Sequence, residues 1–296
     1  MKKSLFFVCL FLSTLSFSCT DKEEIEEEVK PKDLRLVKVT ATDTNKPDIT
    51  ATYIFKYNDQ GGLLEHNAIN KDLVANRGLR FDNTFNAQNQ LVQSQVTNTS
   101  TSKVTSKESF TYDNLGRISF AGTYLPDEDT PYVKYLFVYD SKGRVSRINL
   151  QYRQFLSDPN HPDGIFQVIM FEYDDRNNVT RETYYEVDQF KKGELTIDLD
   201  QRLTYDDKKN PFYQVGNPNR FHGHVRHLLY SYMNNWSPNN PVTINTIDYH
   251  YSTSNSVTTI TQTPYSNQFT YKYNDQGFPV EIKDRTITHS LEYDPK

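Results

Sequence analysis

Cysteine is nearly absent: the 296-residue chain has 2, Cys9 and Cys19, both close to its start. No disulfide framework can hold the rest, so core packing and strand ladders must. A basic excess is absent too. The formal net charge is −5, whereas a nucleic-acid footprint needs a basic patch or stripe. The short pairs Lys191-Lys192 and Lys208-Lys209 read as solvated turns, and no nucleic-acid partner is expected. No apolar run is long enough for an ordinary membrane-spanning helix. Few stretches show a helical period. There is no Gly-rich phosphate loop, nucleophile elbow or zinc-protease motif, so neither a cofactor nor a catalytic group is expected.

Aromatic and β-branched residues are plentiful. Tyr (21) and Phe (18) carry most of the aromatic count, with 1 Trp, and this composition favours strands. The aromatics are organised. One phrase recurs: aromatic, any residue, aromatic, Asn or Asp, a few polar residues, Gly, polar, aliphatic. Clear copies run Phe55 to Leu63, Phe110 to Ile118, Phe137 to Val145 and Tyr271 to Pro279. Weaker ones centre on Phe85, Tyr173, Tyr205 and Tyr251, and another begins at Leu291-Glu-Tyr293-Asp294. The second aromatics, at positions 57, 85, 112, 139, 173, 205, 251 and 273, are mostly 20 to 34 residues apart. That is the period of a repeat architecture.

Each copy reads as a β-hairpin. The Asn or Asp can bond the backbone two residues on. Gly61, Gly116, Gly143 and Gly277, with Asn89, Asn177 and Asn255 in weaker copies, stand where a type I turn with a bulge needs a left-handed backbone. Aromatics two apart share one face of a strand. The expected fold is therefore all-β: up-and-down antiparallel hairpin repeats forming a curved sheet, half-barrel or barrel of about seventeen strands. The wide gap between anchors 205 and 251 breaks the rhythm, and Leu228, Leu229, Tyr232 and Met233 at helical spacing predict one short helix near 222–234.

The chain start reads as an address. Lys2 and Lys3 precede the apolar run Leu5 to Phe17, which has signal-peptide length. Ser16-Phe17-Ser18-Cys19 resembles a bacterial lipobox, with Cys19 as the lipidated residue. The run Thr20 to Glu28 is strongly acidic and resembles the export tag of Bacteroides-type surface lipoproteins. The expected organisation is a signal peptide at 1–18, an acidic disordered tether at 19–32 and a single β domain at 33–296. The address is an outer-membrane lipoprotein facing the cell exterior, with the periplasmic face as the alternative. Its membrane partner would be reached through the lipid at Cys19.

As a set, the repeats resemble the YD repeat of Rhs-type shell proteins. They are closer to a family of Bacteroides-type lipoproteins of unknown function with a porin-like fold. That likeness covers about 33–296 and includes Tyr205-Asp206 through Asn210-Pro211-Phe212. It implies an up-and-down sheet that curls toward a barrel, and it carries no functional residues. Lys56, Glu172, Lys272 and Glu292 alternate with the aromatics, which does not suit a lipid-facing wall.

Two candidate sites stand out. His222, His224 and His227 lie close enough to share a metal, although chance clustering on a helix surface explains them as well. Trp236, alone in an Asn/Pro loop, could stack on a sugar, or could simply pack. The functional expectation is a non-catalytic binding or scaffold role in the envelope, with a glycan or an envelope protein as partner. The alternative is a polysaccharide-acting hydrolase whose carboxylate pair the sequence does not identify.

Overall fold

The computed structural model describes residues 34–48, 50–71, 78–157, 162–187, 194–215, 236–254 and 257–295. The expected helix at 222–234 lies outside them, as do Asn255 and the expected signal peptide and tether.

Sixteen strands follow in chain order: β1 (Leu34–Asp43), β2 (Thr50–Tyr57), β3 (Leu63–Lys71), β4 (Leu79–Phe85), β5 (Leu91–Asn98), β6 (Lys103–Tyr112), β7 (Ile118–Tyr124), β8 (Val133–Tyr139), β9 (Val145–Tyr152), β10 (Ile165–Tyr173), β11 (Val179–Val187), β12 (Leu195–Lys209), β13 (Asn239–Ser254), β14 (Val257–Tyr273), β15 (Pro279–Asp284) and β16 (Ile287–Pro295). Each is antiparallel to its neighbours in sequence, and β1 pairs with β16 from Leu34↔Pro295 to Asp43↔Ile287. The sheet is thus a closed up-and-down barrel, and closure removes both free edges. Among the described residues the strands number sixteen, close to the seventeen or so expected, and β12, β13 and β14 are the longest, at 15, 16 and 17 residues.

The hairpins follow the turn chemistry. In the turn between β8 and β9, Gly143 N–H donates to the Asp140 carbonyl (3.0 Å) and Asp140 N–H to the Arg144 carbonyl (2.8 Å). The Asp140 side-chain Oδ1 accepts from the backbone N–H of Lys142 and Arg144, each at 2.9 Å. Gly143 sits at φ +79°, and Asn177 holds the equivalent place at φ +66°. The same pattern recurs around Asn58, Asn86, Asp113, Asp174 and Asn274. Register shifts between Lys56 and Tyr57, Thr84 and Phe85, Thr111 and Tyr112, Val138 and Tyr139, and Glu172 and Tyr173 mark a bulge at each anchor. Bulges bend the strand and raise its twist, which helps a sheet close. All six turns gather at one rim of the barrel, where β1 begins and β16 ends. One expected copy departs. Tyr251 lies on β13, which runs the opposite way, so its loop falls on the far rim and does not belong to the series.

The anchor is usually Tyr rather than Phe because its hydroxyl does a second job. Tyr112 OH donates to the Leu91 carbonyl, Tyr139 OH to Ile118, Tyr173 OH to Val145 and Tyr205 OH to Val179, all at 2.7 Å. Each bond satisfies the carbonyl at the start of an earlier odd-numbered strand and ties one hairpin to the one before. Where the anchor is Phe85, the corresponding Leu63 carbonyl accepts instead from Asn83 Nδ2 (2.7 Å). Tyr139→Phe should therefore cost about 1–2 kcal/mol, the penalty for an unmet buried carbonyl. Phe85→Tyr should gain nothing, since its carbonyl is already met. Urea midpoints of the two variants check this pair of outcomes.

The aromatic faces point inward and build two buried clusters. One buried cluster joins Leu36, Val39, Tyr53, Phe55, Leu203, Ile244, Phe269, Ile282 and Leu291; another joins Leu91, Phe110, Ile118, Phe137, Val145, Ile148, Phe171 and Val179. Each fully buried side chain of this size contributes about 1.5–3 kcal/mol. Outside, ion pairs cross neighbouring strands: Lys38–Glu292 (2.7 Å), Lys56–Glu65 (2.9 Å), Arg181–Glu172 (3.1 Å) and Lys272–Glu281 (3.0 Å). Charged pairs on the outer face do not suit a lipid-facing wall, and the interior combines the aromatic clusters with buried polar side chains such as His66, Glu108 and His289.

Candidate functional site

The long connection between β12 and β13 interrupts the turn rim. It opens with the short helix α1 (Pro211–Val215). Asn210 caps it, its Oδ1 accepting from Phe212 N–H at 3.0 Å, and Pro211 stands at the first helical position, where a missing N–H costs nothing. Phe212 then enters the first buried cluster. At the other end of the connection, Trp236 enters the second and packs on Phe171 with ring centroids 5.4 Å apart. The two described ends of the connection thus plug the interior from the turn rim at two points. Its ends are tied together, because Asn210 N–H donates to the Pro238 carbonyl (2.8 Å) and Asn210 Nδ2 to the Ser237 carbonyl (3.0 Å). Ser237 closes a ring of hydrogen bonds: Val179 N–H donates to Ser237 Oγ (2.9 Å), Ser237 Oγ to Tyr205 OH (2.8 Å), and Tyr205 OH to the Val179 carbonyl (2.7 Å).

Beside this plug lies a pocket of about 230 Å³, lined by Tyr139, Lys142, Gly143, Arg144, Val145, Tyr173, Asn177, Tyr213 and Trp236. It sits between the β8–β9 and β10–β11 turns. Arg144 is held rigidly there. Its Nε donates to Asp140 Oδ2 (2.8 Å), its Nη1 reaches the Asp174 carbonyl (3.4 Å) and Asn177 Oδ1 (3.3 Å), and its guanidinium lies 4.4 Å from the Tyr173 ring centroid. Burial pushes the Asp140 carboxyl up, but the hydrogen bonds from Arg144 and Lys142 outweigh it and hold the group below the usual carboxylate range. Asp140 therefore stays ionised and paired. Burial raises the Tyr139 and Tyr173 hydroxyls well above the ordinary phenol range, which keeps them neutral donors.

A second set of polar groups faces the interior. Glu108 is 5% exposed, and burial pushes its carboxyl up to about 8. His289 is 3% exposed, and burial pulls it down to about 4, so it is neutral at pH 7. Both were readable by counting in twos: Glu108 precedes Phe110 and Tyr112 on one face, and His289 precedes Leu291 and Tyr293. At the far rim, burial and then the charge of Asp198 raise Glu186, and burial and then the charge of Asp248 raise Asp198.

Of the residues singled out from sequence, Trp236 is described and is 7% exposed, packed in the interior while contributing to the pocket lining. Cys19, His222, His224 and His227 lie outside the described residues. Among the described residues, no group of three or more His, Cys, Asp and Glu could hold a metal ion.

A scan against protein-family models finds no match, and neither does a search of the curated proteins. Among solved structures, the chain is similar to a porin-like protein from Bacteroides uniformis. The identity is 13% and the TM-score 0.53, over 88% of this chain and 98% of that one. Weaker likenesses are to a porin-like protein from Bacteroides vulgatus, at 11% identity, TM-score 0.39 and 89% and 100% coverage, and to the TcdB2–TccC3 structure, at 13% identity and TM-score 0.26 over 81% of this chain and 12% of that one. At these identities the first likeness is one of fold, and the other two are too weak to argue from.

Proposed function

We propose that this chain is a cell-envelope protein, lipid-anchored through Cys19 and facing the cell exterior, with a non-catalytic role in binding or as a scaffold. The observation that carries the role is the barrel's polarity. A charged wall offers nothing to lipid, and the aromatic clusters and the described ends of the β12–β13 connection occupy the interior near the turn rim. Such a barrel serves as a rigid carrier for the surfaces at its rims. The lipobox-like Ser16 to Cys19 and the acidic run after it support the address, and the likeness to a porin-like Bacteroides protein is consistent with an envelope setting. The hydrolase alternative has less support: the buried carboxylates Glu108 and Glu182 are surrounded by tyrosines.

The test is membrane fractionation of cells producing the native chain or Cys19→Ala. The native chain should sediment with membranes and the variant should be released, while protease added to intact cells should cleave the native chain. An unchanged distribution of the variant would remove the anchor from the reading, and protection from protease would favour the periplasmic face.

A further inference from the structure

We infer that the pocket beside the plug binds a carboxylated sugar ring, a hexuronate carried on a short glycan. This rests on the binding role proposed above but not on the anchor. The pocket's volume, about 230 Å³, lies below the 300–1,000 Å³ range of drug-sized ligand sites and suits one ring. Its lining includes Tyr139, Tyr173, Tyr213 and Trp236, aromatic surfaces of the kind that pack on a sugar. The Tyr139 and Tyr173 hydroxyls are already given to the Ile118 and Val145 carbonyls, and arginines lie over those two rings, so these two offer apolar edges rather than donors.

The charge of the lining selects the ligand further. No carboxylate is part of it, and two cations are. Arg144 is already committed through Nε and Nη1 to Asp140, Asp174 and Asn177. It is therefore not free to clamp a phosphate bidentately, the geometry in which arginine outperforms lysine. Lys142 is exposed on the β8–β9 turn and makes no ion pair among the described residues. One exposed point charge beside aromatic side chains fits a monoanion, and Asn177 adds an amide at the same mouth. A neutral sugar would leave the lysine unused.

Trp236 is the only Trp in the chain, so intrinsic tryptophan emission reports on this pocket directly. The full chain would be titrated with glucuronate, glucose and inorganic phosphate. Glucuronate should change the emission saturably, with glucose and phosphate about tenfold weaker or worse. Lys142→Ala should weaken glucuronate by about tenfold, while Lys46→Ala, at the other rim, should not. The inference is overturned by no saturable response to glucuronate, by equal midpoints for glucose or phosphate, or by a Lys142→Ala variant that binds like the native chain. A thermal-shift screen against neutral glycans and envelope extracts separates the two failures. Stabilisation without a Trp236 response would remove this site and leave the binding role standing; no binding at all would remove both.

Discussion

Glu108→Gln is expected to stabilise the barrel increasingly as pH rises, reaching up to about 5 kcal/mol near pH 8 and above. Glu108 faces the interior on β6, where its register partners Ser94 and Thr123 are themselves buried. Tyr132 and Tyr135 lie close enough to be pushed up by its charge. Burial raises the carboxyl from 4.5 to about 8. Below pH 4.5 the group is protonated in both folded and unfolded chains, and the native chain and the variant should be alike. Between about 4.5 and 8 the folded chain holds a proton that the unfolded chain has released, so native stability falls by about 1.4 kcal/mol per pH unit. Above that window both states are ionised, and the full cost of burying the charge remains. Gln keeps the shape and cannot ionise, so the variant lacks this slope. Urea unfolding of both proteins at pH 5, 7 and 9 gives the difference directly. Parallel stability curves would show that water reaches the carboxylate in the folded barrel.

How much of this was legible in the sequence follows from how local each feature is. The Asp140–Gly143 turn was readable because Asx bonding and a left-handed residue are settled within five positions. The inward aromatic face was readable because period two is a property of a single strand. The hydroxyl ties were harder. Tyr139 reaches Ile118, 21 positions back, and nothing in either hairpin alone shows that a Tyr is needed there rather than a Phe. Closure is more remote still: the pairing of Val39 with Leu291 joins the two ends of the described chain, and a curved sheet and a barrel share the same local pattern until that pairing forms. Trp236 was visible as an oddity, with stacking on a ligand and packing both open to it; its ring packs on Phe171, a contact no local pattern shows. The helix that starts at Pro211 was not read, because its 5 residues are too few to show a helical period, and nothing local shows that it drives Phe212 into the interior. The address rests on Cys19 and its neighbours, and no feature of the barrel bears on it.

Phe212→Ala and Trp236→Ala should each destabilise the barrel by about 3–5 kcal/mol, the range for deleting a buried aromatic. For a domain of this size each kcal/mol lowers Tm by about 2–4 °C, so either variant should melt about 6–20 °C below the native chain. Truncating Ile260, 54% exposed, should do almost nothing. The two aromatics sit in different buried clusters, and distant sites ordinarily add. Here they should not. Asn210 bonds both Ser237 and Pro238, and Ser237 bonds Val179 and Tyr205, so the two ends of the plug seat together. Once one aromatic is removed and its end lifts, part of what holds the other is already lost. The double variant should therefore cost at least about 1 kcal/mol less than the two single losses combined. Strict additivity would mean that Phe212 and Trp236 fill two independent holes, and that the connection between β12 and β13 is a loop with two separate footholds rather than one plug.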